Sequence, residues 1–180
     1  MVLGMGADVE TVSPFRRLCL GAAAGAVGTA AMDLVWFARY RRGGGEQGLL
    51  AWETAQGLAK WDDASAPGKL GRRVFEAVTH RELPDRWARS MTNLVHWTTG
   101  VAWGAQYGIV AGSAHRGNRR NWKLGLAFGP VVWLSSYVVL PLAGLYKPIW
   151  EYDAKTLAKD LSAHMAYGTA ASVTFAALSR

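Results

Sequence analysis

The sequence predicts an all-α fold: a bundle of four transmembrane helices, with a further amphipathic or interfacial helical segment between the first and second. Three observations predict it. The charge is unevenly placed: residues 39–89 are dense in Arg, Asp and Glu, whereas Ser90–His115, Leu124–Tyr146 and Leu161–Ser179 carry no Asp, Glu, Lys or Arg. Each of those stretches meets the roughly 17–25 apolar residues that a helix needs to cross a hydrocarbon core. Tryptophans cluster near the ends of the apolar runs, where their amphipathic rings sit at headgroup level. Averages hide this pattern, since 51% of the 180 residues are hydrophobic and 18% charged, with a mean hydropathy of +0.05.

Taken in order, residues 1–15 form a polar lead, and Arg16-Arg17 precede an apolar run at 18–38 broken only by Asp33. A basic start, a small-residue core and Thr29-Ala30-Ala31 also fit a signal peptide. The run continues into Leu34-Val35-Trp36-Phe37, which favours a retained first helix. Gly43-Gly44-Gly45 ends it. The polar connection 43–89 is punctuated by Ala66-Pro67-Gly68. Leu70, Val74, Phe75 and Val78 then recur at helical spacing. Such a helix either lies on a membrane surface or caps the bundle. Pro84-Asp85 read as the start of the next helix, whose membrane segment is 90–112. A basic connection at 113–123 leads to the third segment, 124–146, with the turn Pro141–Pro148 at its end. The fourth occupies 161–178. All 180 residues then form a single integral membrane domain. Trp36, Trp87, Trp122 and Trp150 fall at segment ends, and Trp97, Trp103 and Trp133 deeper, as packing residues.

The net charge of +7 and pI near 9.9 admit nucleic acid as a partner, but no groove-reading motif is present. Arginines flanking apolar runs are expected of membrane anchors, so the partner implied is a lipid bilayer, not nucleic acid. The one cysteine, Cys19, excludes an intrachain disulfide. The basic 113–123 connection argues for both termini on the cytoplasmic side, and the Arg-rich 39–89 stretch for the reverse.

Glycine spacing predicts how the helices pack. Gly100, Gly104, Gly108 and Gly112 form one column on the second segment, a glycine zipper. Gly21 and Gly25 repeat the spacing in the first, and Gly125 and Gly129 in the third. In lipid, close backbone approach and van der Waals contact hold helices together, and small residues permit both. The seam lies within one chain or between subunits of a homo-oligomer.

Ionisable residues inside apolar runs are costly and seldom face lipid. Asp33, His96, Asp160 and His164 are such residues. In an up-down bundle all four fall toward the same face, and Asp160 and His164, spaced i,i+4, share one side of a helix. A cluster of this kind suits a divalent metal, a proton relay or a polar solute; the bland alternative is that each caps a helix or bonds a nearby backbone group. Two histidines on different helices also raise haem. No cofactor is singled out, and no nucleophile motif, phosphate loop or HExxH pattern occurs. Ser135-Ser136 read as interhelical hydrogen-bonding residues.

His96 with Tyr107, the run Pro141-Leu142-x-Gly144-Leu145-x-x-Pro148, and Asp160-x-x-x-His164 resemble the YagU-type family of uncharacterised bacterial inner-membrane proteins over residues 90–170. The resemblance implies a multi-pass protein of the bacterial cytoplasmic membrane with cytoplasmic termini, and supplies no established chemistry. The leading functional expectation is a small membrane subunit that lets a solute or ion cross, or senses it. A structural or accessory subunit binding another membrane protein is the alternative, motivated by the long 39–89 segment. A metal-dependent membrane enzyme is the third.

Overall fold

The computed structural model describes residues 13–114 and 122–180. The polar lead through residue 12 and most of the basic connection at 113–123 lie outside the described residues, as does the side chain of Trp122. All regular elements described are helical: α1 Pro14–Arg42, α2 Leu49–Glu53, α3 Ala66–Thr79, α4 Ala88–Ala114, α5 Trp122–Leu142 and α6 Ala154–Leu178, with short 3-10 turns at Trp61–Asp63, Asp85–Trp87 and Ile149–Glu151.

Local chemistry sets the helix ends. Ser13 caps α1, its hydroxyl accepting from the Arg16 N–H at 3.2 Å, and Pro14 follows in the first turn. Gly43 closes the helix by donating its N–H to the Arg39 carbonyl. Asp153 caps α6, accepting from the Thr156 N–H at 2.9 Å. This cap starts α6 about two turns before the expected membrane segment at 161, and the turn at 143–148 ends α5 at Leu142, short of the expected 146.

The longest helix, α1, holds the centre. It packs on α4 along one side and on α6 along another; α6 in turn packs on α5, and α3 lies against α4. Neighbouring long helices run antiparallel. The α1–α4 contact is a ladder with a rung every four residues. A methyl group placed on Gly21 would come 2.8 Å from the Gly108 Cα, and one on Gly25 equally close to the Gly104 Cα. One turn on, Gly100 receives the side chain of Thr29; one turn back, Gly112 receives that of Arg17. Only residues without a Cβ let two helix backbones touch in this way.

A shorter ladder joins α5 to α6. Gly129 meets Gly168, and Gly125 lies against Ser172. Gly28 makes room for the ring of Tyr167, whose hydroxyl donates to the Gly100 carbonyl at 2.6 Å. Tyr107, Phe128, Tyr167 and Phe175 fill the remaining centre; the Tyr107 and Phe128 rings are 4.6 Å apart.

The connection 43–89 has a small core of its own. Trp61 is buried with Ala64, Leu83 and Ala88, and its indole N–H donates to the Leu83 carbonyl at 2.8 Å. The amphipathic segment becomes α3, but Gly68 and Gly71 form its contact with α4, against Thr92, Met91 and Val95. Val74 and Val78 stay exposed.

Two helices are long and apolar enough to cross a membrane: α1, and the Leu124–Leu142 part of α5. Their apolar stretches are 33% and 28% buried within the bundle.

The ladder makes a contrast. In Gly104→Ala the new methyl falls on the Gly25 backbone, and overpacking of this kind costs about 1–3 kcal/mol or more. In Gly112→Ala it meets the flexible side chain of Arg17, and the helix-propensity gain of about 1 kcal/mol offsets that contact. Equilibrium unfolding of the purified protein checks both; equal stabilities would contradict the close seam.

Candidate functional site

The α1–α4 ladder continues one rung beyond its glycines, and that rung is Asp33 against His96. The His96 Nε2 lies 3.0 and 2.9 Å from the two carboxylate oxygens of Asp33. Asp33 is only 6% exposed. A buried carboxylate needs a partner, because desolvation of an unpaired charge costs several kcal/mol. The glycine seam brings the helices close enough for the short Asp33 side chain to reach the imidazole.

Glu53, which sequence reasoning did not single out, joins this pair. Trp52 packs on Phe37 at 5.5 Å, which docks α2 against the end of α1. From the other side, Arg89 and Asn93 of α4 both donate to the Thr54 carbonyl. Glu53 is thereby held beside α4, where its Oε1 accepts from the Trp97 indole N–H at 3.1 Å. Burial and the neighbouring Asp33 carboxylate push its carboxyl above the ordinary range, while His96 pulls it back. A five-residue helix gives no periodic signal, so only the isolated acid in an otherwise apolar Leu49–Glu53 run could have pointed to Glu53.

The second expected pair sits on α6. His164 Nδ1 lies 3.0 Å from the Asp160 carbonyl and 3.4 Å from its carboxylate. The Tyr137 hydroxyl of α5 faces the same carboxylate. Tyr137 also continues the α5–α6 ladder, two rungs beyond the contact of Gly129 with Gly168. Its ring packs with those of Tyr146 and Tyr152, at 5.6 and 5.4 Å. Arg39 bonds the start of α6, donating to the Lys159 carbonyl and the Ser162 hydroxyl, both at 2.7 Å.

The four expected residues therefore form two pairs rather than one cluster. What connects them is space. Because α4 and α5 barely touch, a cavity of about 390 Å³ opens between them. His96, Asp160 and His164 line it together. A second cleft, of about 560 Å³, adjoins it through His96 and Trp36 and contains Asp33 and Glu53. Trp103 and Tyr167 also line the first cavity, next to the aromatic centre of the bundle.

Ser135 and Ser136 line this cavity but bond back to the Val132 and Trp133 carbonyls of their own helix, which corrects the interhelical expectation. Among the described residues no three His, Cys, Asp or Glu side chains form a metal-ligand set. The haem expectation gains nothing from the geometry, since His96 Nε2 is already held by Asp33.

No protein family, curated protein or solved structure matches the chain.

The site gives two expected outcomes. Glu53 has a raised folded pKa, so its contribution to stability is present below the ordinary carboxylate pKa and lost as pH rises through the folded value. Glu53→Gln, which keeps the acceptor for Trp97, should therefore raise the unfolding midpoint at pH 7. The advantage should close as the pH falls toward 4.5. Secondly, His96→Leu strands the Asp33 carboxylate, at a cost of about 3–5 kcal/mol. Asp33→Leu added to His96→Leu should recover much of that loss in a double-mutant cycle, whereas simple additivity would mean that the two do not interact.

Proposed function

We propose that this chain is a multi-pass protein of the bacterial inner membrane, with α1, α4, α5 and α6 as its four spans. In this reading the cavity between α4 and α5 is a vestibule for a small solute, and the protein serves solute permeation or sensing. The observation that carries it is the cavity of about 390 Å³ lined by residues of both histidine–carboxylate pairs, a volume within the usual range of small-molecule sites.

The outer surface supports the membrane part. Val131, Leu134 and Val138 of α5, Val110 of α4 and Val173 of α6 are exposed on the outside of the bundle. Apolar surface of this extent needs lipid or a protein partner. His96, Asp160 and His164, which make α4 and α6 less apolar, line the cavity. Arg16, Arg17 and Arg180 collect at the opposite end of the bundle. With that end cytoplasmic, as the positive-inside tendency favours, the vestibule opens on the outer face. The resemblance to the YagU-type family over residues 90–170, carried by His96 with Tyr107, the Pro141–Pro148 run and Asp160 with His164, belongs to the same reading.

The vestibule is one-ended. Below it Tyr107, Phe128, Tyr167 and Phe175 fill the bundle, so passage of a solute requires these aromatics to move, whereas binding and sensing do not. An accessory role beside another membrane protein, or a homo-oligomer, draws on the exposed Val74 and Val78 of α3.

Thiol labelling in sealed membrane vesicles separates water from lipid. In a Cys19→Ser background, Ser136→Cys lines the vestibule and should react with a charged, membrane-impermeant reagent. Val138→Cys and Val173→Cys, open on the bare bundle, should react at least tenfold more slowly because lipid covers them. Fast labelling of Val138→Cys would overturn the membrane reading; an inert Ser136→Cys beside an inert Val138→Cys would overturn the vestibule.

A further inference from the structure

The lining of the vestibule specifies a class of ligand. Its walls are largely apolar, and Trp36, Trp103 and Tyr146 present rings to the interior. Its ionisable lining residues are His96, Asp160 and His164; no Lys or Arg occurs among them. Two further carboxylates, Asp33 and Glu53, stand just behind His96 in the adjoining cleft. Acids thus outnumber histidines around this space by three to two. With the imidazoles neutral, the three carboxylates exceed the single cation of this set, Arg39 of the adjoining cleft.

Arg39 lines the adjoining cleft. Its guanidinium carbon lies 4.8 Å from the centroid of the Trp36 ring, and its nitrogens are held by Lys159 and Ser162. Trp36 therefore already packs against a positive charge within this fold. A carboxylate at one part of an aromatic cavity is the usual physical solution for a cation with an apolar body: the ring faces attract the charge, and the acid orients it. An anion of the same shape finds no fixed positive partner in the lining. A neutral molecule gains the apolar contact and loses the charge-assisted bond.

Resting on the vestibule reading above, we infer that the cavity binds a small organic cation, an amine carrying a one- or two-ring aromatic or branched alkyl body. Asp160 receives the ammonium group. Trp36, Trp103 and Tyr146 enclose the apolar body. The pair His96–Asp33 forms the wall that separates the ligand from Glu53.

Calorimetric titration of the purified full-length chain in detergent tests this with three probes of one shape: 2-phenylethylammonium, 3-phenylpropionate and 3-phenylpropanol. Partition into the micelle is subtracted with protein-free detergent. Saturable 1:1 binding of the amine is expected, at least tenfold tighter than of the anion or the alcohol. Asp160→Asn should weaken the amine at least tenfold and leave the alcohol unchanged. Val139→Phe, a lining position already open to the outside, places a ring in the cavity and should weaken the amine and the alcohol together; it remains decisive if Asp160→Asn does not fold. Equal binding of all three probes, preference for the anion, or amine binding indifferent to Val139→Phe would overturn the assignment. Absence of amine binding, with Ser136→Cys still labelled, would overturn the ligand class and leave the vestibule standing.

Discussion

The direct contact between the backbones of α1 and α4 is the constraint on which the other features depend. It exists because Gly21 and Gly25 on one helix meet Gly104 and Gly108 on the other, with no Cβ between them. A rung every four residues lets the two antiparallel helices stay in register over several turns. Register, once fixed by the glycines, also fixes what lies at the ends of the ladder. At one end Arg17 folds over Gly112; at the other Asp33 meets His96. The pairing of Asp33 with His96 is thus a consequence of the seam.

The α5–α6 seam repeats the logic with fewer glycines, and it too runs out into a polar contact, Tyr137 with Asp160. Both polar contacts fall at the same end of the bundle because the long helices alternate in direction. Two tight seams and the central position of α1 leave α4 and α5 separated at that end, with Tyr167 reaching from α6 to α4 beneath the gap. A cavity lined from several helices follows from this unequal packing. In such a bundle, close approach where glycines lie and open space where they do not are two sides of one sequence pattern.

Much of this was legible in the chain. The glycine columns and the i,i+4 pair Asp160 and His164 are visible as spacings, because a helix converts a period near four into a single face. Their partners were less visible. That Gly104 meets Gly25, and that Asp33 therefore meets His96, becomes readable only when the two columns are aligned antiparallel; extending that alignment by one rung gives the pair. Glu53 was hidden because α2 is too short to carry a period, and its place depends on Trp52 stacking against α1. Trp61 was hidden for a similar reason: its burial rests on contacts with Leu83 and Ala88, far along the chain. Ser135 and Ser136 looked interhelical, but a hydroxyl in a helix can satisfy itself on the carbonyl three residues earlier, and both do.

The pairing of Asp33 with His96, the placement of the cavity and its largely apolar, aromatic lining all descend from the approach of two glycine backbones. An Hα–Hα nuclear Overhauser cross-peak between Gly25 and Gly104 in the assigned, detergent-solubilised protein measures that approach directly. The account predicts a strong cross-peak, with a weaker one between Gly21 and Gly108. Their absence from a fully assigned spectrum would mean that the helices stand apart, and the pair and the cavity could not be arranged as described.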